Sequence, residues 1–374
     1  MVSGVLGVFL LFQTAWTPPD ADELKKGIHA LYSIKFDSAE TVFSKYEKKY
    51  PERPEGYFFS AMILWVQVLL TIDDQSRDQL FFKKMDNVVK KCDEFLDKNP
   101  NNIVAEYYKG GSLGFKARLQ GNRKEWMSAA NNGRLAYPIL VKALDGEIKF
   151  PDAKFGTGIY RYYAEVVPEK YPILKPIMYF FPEGNKEEGL KDLLDVAENG
   201  VFASDEANYF LIQIYSNYER NWIKAGQLAE RMIQKYPENP FFQMSYGGYL
   251  IAKSNFESAK KIFENYQKKI KLKTPFYPAY QLTQCNFHLG NIEFQQKNYK
   301  KAIAYFDEGI KSYQKDPKAG QLAYYVESIL ISGFAFQYSG KKDESVKRFE
   351  LVLATEEPPG GVAHQRAKNA LGKK

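Results

Sequence analysis

Residues 110–114 read GGSLG and satisfy the pattern G-x-S-x-G, with Ser112 at the nucleophile position. A nucleophile elbow joins a strand to a helix. Here the surrounding AEYYKGGSLGFKARLQG is helical in pattern, with no apolar β-branched run before it. Small residues on one helix face also let a second helix approach closely, and packing is the reading the stretch favours. A serine hydrolase using Ser112 is the alternative, and it requires an acid and a histidine beside that hydroxyl. The only histidines, His29, His288 and His364, are too scattered for an HxxxH or HExxH ligand pair, so no metal site is expected. FGTGIYRYY lacks the third glycine of a dinucleotide loop, and no GxxxxGK[ST] occurs, so no cofactor is expected either. Cys92 and Cys285 stand alone and give no disulfide framework.

Charge is mild overall, +7 from 52 bases and 45 acids, but unevenly placed. Residues 183–206 are acidic, and 253–273 are lysine-rich, sharpest in YQKKIKLKTP. Contact with phosphate or an acidic partner is one reading of the lysines. A solvated helix end, where cations also meet the negative end of the helix dipole, is the simpler one. A nucleic-acid groove would carry more arginine, so no nucleic-acid partner is expected.

With no catalytic constellation, the spacing of small and aromatic residues becomes the informative feature. In HLGNIEFQQKNYKKAIAYF (288–306), two amphipathic helical segments flank a break at Lys297-Asn298. Gly247, Gly290 and Gly333 are spaced 43 residues apart, as are Ala259, Ala302 and Ser345, and Phe263, Phe306 and Phe349. A two-helix repeat of this length indicates a helical solenoid. Gly290 and Ala302 are expected to face each other across one helix pair, with Phe306 filling the space above.

These residues resemble the tetratricopeptide repeat: Leu289-Gly290 in the first helix, Tyr299 and Ala302 in the second, an aromatic four residues on, and a closing proline. The same spacing recurs at Gly27, Ala39, Phe43 and Pro51, and more loosely at Ala225, Ala229 and Pro237. The segment 163–200, with its kinked apolar stretch and PEGNKEEGL, also resembles a divergent tetratricopeptide family that includes mitochondrial outer-membrane proteins. The resemblance implies an all-α, right-handed superhelix of about seven to eight helix pairs. It also implies a non-catalytic scaffold that binds a protein or extended peptide in the concave groove.

The groove-facing spacing of that motif, carried onto this chain, selects Phe210, Asn217, Tyr218, Phe241 and Met244. It continues with Gln284, Phe287, Asn291 and Gln295, and ends with Phe334, Gln337 and Tyr338. The set is rich in amides and aromatics and carries no charge. Amides can pair with a ligand's backbone, and aromatics supply rigid contact area.

The expected organisation is an N-terminal hydrophobic segment over 1–19, divergent repeats over 20–182, regular repeats over 183–358 and a capping helix over 359–374. Pro168, Pro172, Pro176 and Pro182 should end a helix near Val167 and leave no regular helix pair there, with a new helix over 186–198. GYFFSAMILWVQVLLTI (56–72) is expected to be a buried helix rather than a membrane span. Val2–Phe12 form an apolar run of signal-peptide length without a preceding Lys or Arg. Export to the periplasm or cell envelope is the expectation, with a cytoplasmic location as the alternative. An uncleaved N-terminus would instead make this a membrane-associated envelope protein. N-terminal sequencing of the mature chain should find residues 1 to about 15 removed or held in a membrane; an intact Met1 on soluble cytoplasmic protein would contradict export.

Overall fold

The computed structural model describes residues 17–144, 150–179, 181–358 and 361–373; the apolar run Val2–Phe12 lies outside them. Among the described residues every element is helical. The described residues divide into two compact units, one from 17–66 and 76–211, the other from 67–75 and 212–373.

The first unit holds α1 (Ala21–Tyr32), α2 (Phe36–Lys49), most of α3 (Pro54–Leu70), α4 (Asp78–Lys98), α5 (Ile103–Asn122) and α6 (Trp126–Leu144). It continues with α7 (Ala153–Lys170), the short α8 (Lys175–Met178), α9 (Lys186–Asn199) and the start of α10 (Ser204–Asn217). The second unit holds α11 (Trp222–Lys235), α12 (Pro240–Ala252), α13 (Phe256–Lys271), α14 (Leu282–Gln295), α15 (Tyr299–Lys315), α16 (Leu322–Tyr338), α17 (Lys342–Ala354) and the closing α18 (Ala363–Ala370). Consecutive helices pack as pairs: α1 on α2, α5 on α6, α12 on α13, α14 on α15, α16 on α17. This is a helix-pair repeat, as the spacing leads one to expect.

The repeated glycine has a direct cause. A Cβ placed on Gly290 would come within 2.6 Å of Phe306 Cε1, and one on Gly247 or Gly333 within 2.6 and 2.7 Å of the Phe263 and Phe349 rings. Gly27 stands in the same relation to Phe43. The three nearest atoms to Gly290 all belong to Phe306. The nearest approach to Gly290 is thus made by the ring, and Ala302, one turn before Phe306 on the same helix, is fully buried. The turn repeats as well. Seven residues after each glycine, Ile34, Ser254, Lys297 and Gly340 take left-handed φ values of 63°, 56°, 63° and 80°. In each turn the next residue's N–H reaches back to a helix carbonyl, as Asn298 does to Glu293 at 2.8 Å and Lys341 to Phe336 at 2.9 Å. Only Gly340 adopts this conformation without a Cβ penalty.

The proline-rich segment departs from expectation. The helix does not stop at Val167 but runs to Lys170, with Pro168 in its last turn. There the missing N–H costs a single intrahelical bond. A helix pair does survive: α7 packs directly on α9. A Cβ on Gly189 would meet the Tyr162 nitrogen at 2.7 Å and the Gly158 carbonyl oxygen at 2.8 Å, so two glycines bring the backbones together. Pro172, Pro176 and Pro182 are confined to the connection between them.

Helix α3 is buried along nearly its whole apolar length, Trp65 completely. No described helix is long and apolar enough to cross a membrane. Trp65 also shows how the aromatic core of the first unit accommodates a carboxylate. Glu206 of α10 is 4% exposed. It accepts a hydrogen bond from Trp65 Nε1 at 2.7 Å and one from the Tyr32 hydroxyl of α1. Burial dominates and pushes its pKa up to about 7 despite both donors. Asp152, fully buried, accepts the backbone N–H groups of Val201, Phe202 and Ala203 at 2.9, 3.1 and 3.1 Å, which holds the turn into α10. Burial raises it to about 6 in the same way.

A carboxyl whose pKa is higher folded than unfolded binds more protons in the native state. Its contribution is complete below the unfolded value of ~4.3 and is lost as pH rises through the folded value. Urea unfolding of Glu206→Gln and wild type between pH 5 and pH 8 should therefore give a smaller fall in stability for the variant, because the difference removes only this group's titration. Equal pH slopes for the two proteins would contradict the buried, proton-binding carboxyl.

Candidate functional site

The first helices of the repeats in the second unit carry almost no charge. Helix α12 has none, α14 only Glu293 and α16 only Glu327. Both carboxylates are paired, Glu293 with Lys260 at 2.6 Å and Glu327 with Arg366 at 3.1 Å. The charge is concentrated on the second helices, such as α13 and α15. The lysine-rich end of α13 is a helix terminus with cations over its last carbonyls. Lys269 pairs with Glu238, and Lys271 lies 3.8 Å from Glu308. These contacts place two of its lysines beside acidic side chains.

This partition leaves a neutral groove of about 450 Å³ in the second unit. Leu69, Leu70, Ile212 and Met244 supply aliphatic wall. Gln213, Asn217, Gln281 and Gln284 supply amides, and Trp222, Phe241, Tyr249, Tyr266, His288 and Tyr324 supply rings. Ser216, Ala225, Gly226, Pro240, Ser245, Gly248 and Ala252 complete the lining, which contains no Asp, Glu, Lys or Arg. His288 stacks on Phe263 with centroids 4.6 Å apart and an interplanar angle of 16°, and meets Tyr324 edge-on at 5.7 Å. Burial among these rings lowers its pKa to about 4, so it is a neutral imidazole at physiological pH. Gln284 donates to the Tyr324 hydroxyl at 2.8 Å, and Tyr266 donates to Gln281, which fixes two of the four amides. Burial pushes the Tyr324 phenol up to about 12. The arrangement offers hydrogen bonds and apolar contact.

Of the residues selected by spacing, Asn217, Phe241, Met244 and Gln284 line this groove. Phe287 packs beside it, 5.5 Å from Tyr324. Tyr218 and Asn291 are half-buried and Gln295 and Gln337 exposed, all outside the lining. Phe334 packs on Phe349 at 4.9 Å, and Tyr338, 62% exposed, leans on Tyr299 at 5.5 Å. Phe210 is a core residue of the first unit, 2% exposed, against Phe155 at 5.6 Å and the Arg118 guanidinium. It faces inward because α10 is buried on most sides along that stretch. The spacing rule missed Trp222, Gly248, Tyr249, His288 and Tyr324. The aromatic ones were visible as rings, but not as groove residues.

Ser112 is fully buried in the middle of α5, and its hydroxyl donates to the Tyr108 carbonyl at 2.7 Å. A helical serine bonded to its own preceding turn is not a nucleophile elbow, so the hydrolase alternative falls. Neighbouring Gly110 is where the Leu140 side chain of α6 closes in, 2.9 Å from a would-be Cβ, as the packing reading requires. Among the described residues no group of three or more His, Cys, Asp or Glu is gathered as a metal would need. Both cysteines are buried and outside any disulfide, and burial raises both thiols, Cys285 to about 12. The first unit has its own wide cleft, lined by Tyr137, Pro138, Val141 and Phe181 with Arg134, Lys142 and Glu106. Lys142 and Glu106 neutralise each other there at 2.5 Å.

No family model and no curated protein matches the sequence. Among solved structures, the chain is similar to the human IFIT1 dimer with PPP-AAAA, at 16% identity and a TM-score of 0.39 over 85% of this chain and 68% of that one. It is similar to yeast Tom70 at 10% identity and a TM-score of 0.36, over 94% and 88%. It is also similar to the apo form of RapI at 17% identity and a TM-score of 0.40, over 89% and 86%. Likeness at this level carries no argument, and the helical-repeat assignment stands on the packing described above.

Proposed function

We propose that this chain is a non-catalytic binding scaffold whose second unit holds an uncharged, extended polypeptide segment. The observation that carries the reading is the lining of the groove, which combines amides and rings with aliphatic wall and excludes every charged side chain. A charged ligand group would lose its hydration there without gaining a partner. A peptide backbone would find acceptors and donors in Asn217 and Gln284. The aliphatic surface of Leu69, Leu70, Ile212 and Met244 suits apolar side chains better than a sugar or a phosphate.

The test begins with affinity capture from the native cell and mass spectrometry, followed by calorimetry with the captured segment as a synthetic peptide. Asn217→Ala combined with Gln284→Ala should weaken binding by roughly tenfold or more, at about 1 kcal/mol for each hydrogen bond. Raising salt from about 50 to about 500 mM should change the affinity by less than about threefold, since no ion pair is formed. Lys268→Ala, Lys269→Ala and Lys271→Ala together should leave it unchanged. Loss confined to the lysine variant, with steep salt dependence, would place binding on the α13 end and overturn the groove reading.

A further inference from the structure

Helix α12 contains two adjacent glycines, and only one has a reason within the fold. Gly247 admits the Phe263 ring. Gly248, in ordinary helical conformation, has no heavy atom of another element within 4 Å of where its Cβ would be. Glycine inside a helix is unfavourable relative to almost any other residue, because it leaves more backbone freedom to be lost on folding. The repeat itself does not demand it. One period on stands Asn291, and two periods on Phe334, both in regular helix and both half-buried. The space a side chain would occupy at Gly248 opens instead into the neutral groove, of which Gly248 is part of the lining. Ser245 and Ala252, one turn before and one turn after on the same face, are also small and also line it.

We infer that Gly248 is the specificity-determining residue of this groove: it leaves room for one bulky, uncharged side chain, aliphatic or aromatic, of the bound segment. The inference rests on the groove reading above. The occupant follows from what borders the space. Phe241, Met244, Trp222, His288 and Tyr324 belong to the same lining, with the imidazole neutral, and no charged side chain joins them. Apolar contact is offered on all of these, and a charged side chain would be stranded. The bare backbone at Gly248 lets an anchor side chain approach α12 more closely than a Cβ would permit. The two later repeats, with Asn and Phe at the equivalent place, offer no such room.

The experiment uses a random dodecapeptide library displayed on phage, selected against the full chain. Enriched peptides should share one Leu, Ile, Met, Phe, Tyr or Trp anchor within an uncharged stretch. A synthetic peptide of that sequence should bind Gly248→Leu at least about tenfold more weakly than wild type, and Gly248→Ala by an intermediate factor. Both variants should melt at or above the wild-type temperature, because each replaces a helical glycine that packs against nothing. Replacing the peptide's anchor by Ala should abolish the difference between wild type and Gly248→Leu. Undiminished binding of the anchored peptide by both variants would overturn the inference, as would enrichment of charged peptides. The two readings separate through Asn217→Ala with Gln284→Ala. If that pair weakens the selected peptide and Gly248→Leu does not, only the role of Gly248 fails. If neither weakens it, or no peptide is enriched, the groove reading fails and this inference with it.

Discussion

A glycine backbone pressed against a phenylalanine ring is the contact on which the regular part of this chain depends. At Gly247, Gly290 and Gly333 the ring from the following helix occupies the place of a missing Cβ, and each of these rings is 2% exposed or less. The contact sets how closely the two helices of a pair approach. It also sets which way the first helix is turned about its axis, because the glycine must face its partner. Everything else on that helix is then assigned by the 3.6-residue period, including the residues left to face the groove. The groove is lined from these first helices together with residues of α11 and α13.

The two units solve burial differently. The second confines charge to its second helices and ties the few carboxylates of its first helices to Lys260 and Arg366. The first also holds two buried carboxylates by uncharged donors. Glu206 and Asp152 sit among aromatic side chains and satisfy an indole, a phenol and three backbone amides. A buried acid is costly when ionised, and the upward shift of both groups is the expression of that cost. What it contributes is direction: each hydrogen-bonded carboxylate joins elements distant in sequence, α1 and α3 to α10, and the start of α7 to the turn before α10. Glu206 does not stand apart from the acidic run 183–206, and Asp152 has no sequence feature that marks it as buried, so this role was not legible there.

The repeat itself was legible because its contact needs one residue type at one spacing. Glycine, alanine and phenylalanine recurred at a common period, and the turn between helices could be placed at Lys297-Asn298. The pairing of α7 with α9 was not legible, since Gly158 and Gly189 meet across a proline-rich connection with no second copy to reveal a period. For the groove, spacing found Asn217, Phe241, Met244 and Gln284 but also selected Phe210, which the fold buries. A spacing rule gives the angle about the helix axis, and whether that angle meets solvent or a neighbour is decided by other elements. Gly248 was invisible for a different reason: its signal is a side chain that is absent, and only the structure shows that nothing fills the space.

The central claim, that glycine against phenylalanine fixes the helix pairs, is tested most directly by a double-mutant cycle at Gly290 and Phe306. Gly290→Leu alone should overpack the pair and cost on the order of 1–3 kcal/mol. Phe306→Ala alone should leave a cavity and cost about 3–5 kcal/mol. Combined, the new leucine has the vacated ring space to enter, so the double variant should lose less than the sum by on the order of 1–3 kcal/mol in urea unfolding. Losses that add to within about 0.5 kcal/mol would mean the two positions do not share that space, and would contradict the account.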